Sequence, residues 1–226
     1  VRSVHHLYKR VNNRPLQRPA WYFDRAVQGE GITDVTTHLV DLVQWMTGDG
    51  VHFDFDKHVE GLCARQWPTV IPRETFSRIT GLDEFPEILR DHVVAGALEY
   101  RCNAALAYRL RGVPVEIETL WCLEEPQGGG DLHRAILRGT RSDLIVEQGP
   151  ETGFLTRLTI NPGEGGKAFA RALKEAVATM QTEFPGLGVE PAGAQFRIII
   201  PKALRTTHEQ HFAAVLQTFL GYLDAG

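Results

Sequence analysis

Ala104-Ala-Leu-Ala-Tyr-Arg-Leu110, then Arg111-Gly112, then Pro114-Val-Glu-Ile-Glu-Thr-Leu-Trp-Cys-Leu123 decide the fold. Two strand-like runs flank a two-residue turn, so the stretch predicts a β-hairpin. In the second run Val115, Ile117, Thr119 and Trp121 alternate with Glu116, Glu118, Leu120 and Cys122. Side chains alternate across a strand, so one face is apolar and the other carries two carboxylates.

Working outward, 132–138 and 144–148 predict a second hairpin around Gly139-Thr-Arg-Ser-Asp143, and 154–160 adds a strand. Phe169, Leu173, Val177, Met180 and Phe184 then recur at helical spacing until Pro185-Gly186. A short strand is expected over 195–200. Thr206 or Thr207 opens a last helix, with Glu209 or Gln210 completing a capping box. Its expected buried stripe is Phe212, Val215, Leu216, Phe219, Leu220 and Leu223. Upstream, 59–67 reads as a short strand interrupted by Pro68 and Pro72. The segment 74–90 reads as an irregular connection with a helical turn or two, and 1–24 as a strand followed by extended chain. The order of helix, sheet and helices defines an α+β fold: an open, mostly antiparallel β-sheet with helices packed on one face.

The chemistry is concentrated in Gly29-Glu-Gly-Ile-Thr-Asp-Val-Thr-Thr-His-Leu-Val-Asp-Leu-Val-Gln-Trp-Met-Thr-Gly48. Asp34 and His38 stand one helical turn apart. Helical advance places Asp34, His38, Asp41 and Trp45 on one stripe and Val35, Leu39, Leu42 and Met46 on a neighbouring, core-facing one. Thr33 or Asp34 is placed to cap the helix start and Gly48 to stop its end. An imidazole beside a carboxylate moves a proton near neutral pH. For an isolated Asp-x-x-x-His, a surface ion pair is the plainer reading.

Charge and length bound the rest. The chain has 226 residues, a net charge of −4 and 43% hydrophobic residues. That length supports one large domain or two small ones. Interspersed charges of both signs argue against a nucleic-acid surface, and no apolar run is long enough to span a membrane. Cys63, Cys102 and Cys122 are isolated and read as reduced, mostly buried thiols, which favours a reducing, cytoplasmic setting. A periplasmic one stays open if a removed N-terminus carried a signal. Gly29-x-Gly31, Gly128-Gly-Gly130 and Gly163-Glu-Gly-Gly-Lys167 each depart from phosphate-binding patterns and read as loops. His208-Glu-Gln-His211 has the wrong spacing for a zinc-protease motif, and alternation places His5 and His6 on opposite strand faces.

The glycine-rich approach, Asp34-x-x-x-His38 and a hydrophobic helix ending at Gly48 resemble the Gfo/Idh/MocA family of NAD(P)-dependent sugar oxidoreductases. The lead-in from Tyr8 to Asp24, Gly128-Gly-Gly-Asp-Leu-His133 and Arg138-Gly-Thr-Arg-Ser-Asp-Leu-Ile-Val146 extend the resemblance over essentially the whole chain. It implies a single C-terminal substrate-binding and oligomerisation domain over 1–226. The N-terminal nucleotide-binding domain of the family, with its glycine fingerprint and Glu-Lys-Pro lysine, is absent from this sequence. NAD or NADP would be held mainly by that missing domain, and this segment alone would be inactive. The implied catalytic residues are His38, taking or returning a hydroxyl proton, and Asp34, orienting it.

Lys9, Arg14 and Arg18 with Trp21 and Tyr22 suit a polar or acidic sugar. Asp41 and His133 complete the expected substrate contacts. The resemblance further implies a homo-oligomer formed through the open sheet face. Two other readings are a metal-dependent sugar site on Asp34, His38 and Asp41 without a redox cofactor, and a non-catalytic carbohydrate-binding or dimerisation domain.

Overall fold

The structure is a computed structural model describing residues 1–11, 14–48, 50, 52–164, 166–206 and 208–224. It divides into two compact units, Val1–Ile136 with Val146–Thr156, and Leu137–Ile145 with Arg157–Gly226. The first contains β1 (Arg2–Tyr8), the short β2 (Arg10–Val11) and β3 (Arg14–Pro15), α1 (Arg25–Gln28), α2 (Thr37–Thr47), α3 (Phe55–His58), β4 (Val59–Pro72), α4 (Arg73–Thr80), β5 (Val93–Val94), β6 (Ala97–Leu110) and β7 (Val113–Glu124). β8 (Leu132–Arg138) and β9 (Ser142–Gln148) follow as neighbouring strands. The second unit adds β10 (Arg157–Pro162), α5 (Gly166–Thr179), β11 (Gly188–Ala192), β12 (Gln195–Ile199) and α6 (His208–Asp224).

In the first unit the strand order is β8-β1-β7-β6-β4. β1 runs parallel to β7, whereas the β1–β8, β6–β7 and β4–β6 pairs are antiparallel. The α+β class and the mostly antiparallel sheet are as the sequence predicts. The β6–β7 hairpin turns at Arg111 and Gly112, both with positive φ, as a twisted two-residue hairpin requires. On β7 the expected alternation holds: Val115, Ile117, Thr119 and Trp121 are buried, and Glu116 and Cys122 are exposed.

The covered face carries two clusters. Leu106, Tyr108, Leu110, Val115 and Ile117 pack with Leu39 and Val43 of α2. Leu7, Tyr100, Cys102 and Trp121 pack with Phe23, Phe76, Ile79 and Leu89. Burying each large apolar side chain contributes roughly 1.5–3 kcal/mol, so these clusters dominate the unit's stability.

Several expectations are corrected. β4 is one long strand, not a short interrupted one, because it is an edge strand: Pro68 falls at a register shift between Trp67 and Thr69, where no ladder donor is needed. The helix before it starts differently as well. Neither Thr33 nor Asp34 caps it; Ile32–Thr36 forms a π turn, closed by Thr36 N–H donating to Gly31 O at 3.3 Å. Cys102 alone of the three free thiols is buried; Cys63 and Cys122 are exposed.

The second unit is described by itself. β10, β12 and β11 pair antiparallel, and Ile160, Val177 and Ile198 form its core with Phe169, Leu173 and Phe196. The strand β11 has no counterpart in the sequence reading, since Pro191 and Gly188 mask its pattern. The stripe Phe212, Val215, Leu216, Phe219, Leu220 and Leu223 of α6 is exposed rather than buried. Helical periodicity establishes that these side chains share a face; it does not supply a partner for that face. The capping residue Thr207 lies outside the described residues.

Candidate functional site

The approach to α2 is fixed by glycine. Gly31 N–H donates to Arg101 O at 3.1 Å, and a Cβ on Gly31 would meet Cys102 O at 2.1 Å. Only a glycine lets the π turn lie directly on β6. Thr36 is fully buried beneath it, donating to Gly31 O at 2.7 Å and standing 2.8 Å from Thr119 Oγ1. Gly48 ends α2 and lies under Phe53, whose ring a Cβ would meet at 2.1 Å.

The two expected catalytic residues differ in exposure. Asp34 is half-buried, and its charge bears on Tyr22, Tyr100 and Cys102. His38 and Asp41 are exposed, and Trp45 is 76% exposed, on the side of α2 away from buried Leu39 and Val43. Among the described residues no hydrogen bond joins Asp34 to His38.

Asp34 belongs to a wall of aromatic and charged side chains. Burial pushes the Tyr22 phenol up to about 12; Arg18 opposes the rise and Asp34 adds to it. Burial likewise raises Tyr100 far above its ordinary value, with Tyr22, Cys102 and Asp34 adding to it. Both phenols are therefore neutral hydrogen-bonding groups at physiological pH. Burial takes the Cys102 thiol up to about 11, which makes it a poor nucleophile.

The Arg18 guanidinium lies over Tyr22 at 4.4 Å and Trp121 at 5.4 Å. Two of its nitrogens donate to the carbonyls of Leu7 and His6 at 3.0 and 3.2 Å, so strand β1 holds it in place. Trp21, half exposed, stands beside it in the sequence on the opposite side of its short helical turn from buried Phe23.

Trp121 continues the wall to His5, with ring centroids 5.0 Å apart. His5 Nε2 is 2.6 Å from Ser3 Oγ, and its Nδ1 is 3.3 Å from Asp131 Oδ2. The other oxygen of Asp131 is 3.3 Å from His6 Nδ1, and Lys9 donates to Asp131 at 2.7 Å. Burial alone would raise the Asp131 carboxyl, but the hydrogen bonds from His5, His6 and Lys9 outweigh it and hold it well below the usual carboxylate range.

Asp131 directly precedes β8, whose register pairs Leu132 with Val4. It thus flanks His5 at the strand edge, where side chains from both faces reach it. His5 and His6 alternate along β1 as expected, yet each reaches a different oxygen of Asp131. Lys9 is accordingly engaged by Asp131. His133 opposes Ser3, and burial holds its imidazole below its ordinary value.

Among the described residues no three His, Cys, Asp or Glu side chains gather as a metal site, and none does so at Asp34, His38 and Asp41. No described helix is long and apolar enough to cross a membrane. The glycine loops are not built for a dinucleotide. Gly31 is seated on Cys102. The loop at Gly128–Gly130 turns the Gly130 N–H toward the Glu125 carboxylate at 3.4 Å, and Phe154 covers Gly130. The same loop lines an open cavity together with Arg10, Glu125, Pro126 and Gln127. The N–H groups of Gly31, Gly129 and Gly130 are already engaged within the chain, so these loops do not offer the cradle a nicotinamide dinucleotide needs.

Sequence reasoning missed Tyr100, Trp121, His5, His6 and Asp131 as members of one site. Asp131 had one visible signal, its place straight after Gly128-Gly-Gly130.

The comparisons agree with this architecture. The chain belongs to the family described as putative oxidoreductase C terminal domain, which matches residues 1–226. It is similar to the crystal structure of a putative oxidoreductase from Parabacteroides merdae ATCC 43184, with 38% identity and a TM-score of 0.93 over 98% of this chain. The chain spans about half the length of that protein, covering 51% of it. No curated protein matches the chain.

Proposed function

We propose that the chain is the substrate-side domain of a nicotinamide-dependent oxidoreductase of Gfo/Idh/MocA type, acting on a sugar, sugar acid or other polyol. The observation that carries this reading is the wall itself. Two neutral phenols, Tyr22 and Tyr100, feel the charge of half-buried Asp34, and Arg18 stacks on Tyr22 and Trp121. A carboxylate accepts hydrogen bonds from sugar hydroxyls, phenols donate or accept, and aromatic faces meet the C–H faces of a ring.

Hydride chemistry belongs to the cofactor, NAD or NADP, held outside this chain. The chain's own residues do the rest. Asp34 binds and orients a substrate hydroxyl, and Trp21, Tyr22 and Arg18 line its approach. His38, exposed on α2, is the proton-transfer group on the face a further domain would cover, with Asp41 beside it. Lys9 and His133 act at the rim, the first through Asp131.

The test is nicotinamide absorbance in the full-length protein against sugars, sugar acids and inositols, with His38→Ala in parallel. Turnover that His38→Ala abolishes supports the reading; undiminished turnover in the variant removes His38 from the chemistry. A homo-oligomer through the exposed sheet face bearing Glu116, Glu118 and Cys122 is part of the same proposal, checked by sedimentation of the purified protein.

A further inference from the structure

Two histidines of the first unit differ in what holds them. His38 has no hydrogen-bond partner among the described residues. His5 is held at both ring nitrogens and on one ring face: by Asp131 at Nδ1, Ser3 at Nε2 and Trp121 against the ring. An ionised carboxylate can only accept, so the proton of a neutral His5 ring sits on Nδ1, and the Ser3 hydroxyl donates to Nε2. The same carboxylate takes Lys9 and His6, and thereby ties the end of β1 to the chain entering β8.

Trp121, packed against His5, also meets Arg18 and Tyr22, with the Tyr22 ring centroid 6.3 Å away. Tyr22 in turn is 5.9 Å from Tyr100. An unbroken run of contacts thus leads from Asp131 to the phenols that feel the charge of Asp34.

We infer that Asp131 is a positioning residue. By locking His5 in its Nδ1–H tautomer against Trp121, it fixes the wall on which the substrate ring is bound. This rests on the proposed function, but its physical content, the locked His5, is separable from it. Carboxylates hydrogen-bonded to the far nitrogen of a working histidine fix its tautomer in the same way at metal and catalytic sites.

The test compares wild type with Asp131→Asn in the full-length protein, using imidazole ¹⁵N resonances assigned through His5→Gln. The wild type should show a single Nδ1–H tautomer for His5. Asp131→Asn should show a mixture, together with a shifted Trp121 indole N–H resonance. In the turnover assay KM should rise about tenfold with kcat changed less than threefold, and Asp131→Glu should recover part of the loss.

A His5 spectrum identical in wild type and Asp131→Asn overturns the inference, as does an unchanged KM in a variant whose His5 has come loose. If Asp131→Asn does not fold, the wild-type spectrum decides: a freely exchanging His5 overturns the lock. A wild type without nicotinamide-linked turnover overturns the proposed function instead, and leaves the His5 result standing.

Discussion

The wall around Asp131 and the outward face of α2 each carry a histidine near a carboxylate, in opposite circumstances. On the wall, His5, His6 and Lys9 converge on one half-buried carboxylate, and the Trp121 ring packs against His5. On α2, His38, Asp41 and Trp45 stand in solvent while Leu39 and Val43 anchor the helix below. The wall is preorganised within this unit. The α2 face is open to solvent. Preorganised groups hold a ligand, whereas an exposed acid–base group gains its power once water is excluded around it.

The largest expected effect breaks the platform both faces share. Gly31→Ala forces a methyl into the Cys102 carbonyl and should cost about 3 kcal/mol, or prevent folding, since backbone there has no room to yield. A thermal melt unchanged from wild type would show that the π turn does not lie on β6 as described.

Next is His38→Ala, expected to lower turnover by roughly 10²–10⁴ while stability moves by less than about 0.5 kcal/mol. The pairing of a large kinetic and a negligible thermal effect is what an exposed chemical residue predicts. A large stability loss would instead make His38 a packing residue.

The pH dependence sharpens the other side. The Asp131 carboxyl is depressed in the folded state, so its contribution to stability is fully present above the unfolded carboxylate range near about 4 and is lost as pH falls toward the lower folded value. Urea midpoints should therefore fall below about pH 4 more steeply for wild type than for Asp131→Asn. Parallel pH curves would mean that the His5, His6 and Lys9 contacts do not form in solution.

The smallest effect is Trp45→Ser. Its side chain is exposed, so the stability of this chain should change by less than about 0.5 kcal/mol. A larger loss would show that α2 is covered within the chain.

Much of the framework was legible in the sequence. The alternation on β7 revealed the covered face, Arg111-Gly112 the hairpin, and Gly48 the end of α2, because each depends on local backbone geometry. The α6 stripe was legible as a stripe and misleading as a core. The candidate site was only half legible. Asp34, Arg18 and Tyr22 lie near one another in sequence and could be proposed together, but Tyr100, Trp121 and Asp131 come from three later segments.

By itself the sequence determined the β6–β7 hairpin, which face of β7 is apolar, the end of α2, and that a carboxylate and an imidazole sit four residues apart. Only the tertiary structure decided that Asp34 is half-buried while His38 is exposed, and that adjacent His5 and His6 meet on one carboxylate. Periodicity is a property of neighbouring residues. Which carboxylate reaches which imidazole depends on strand register and on a glycine that lets two backbones touch, and those are settled by packing between segments far apart in the chain.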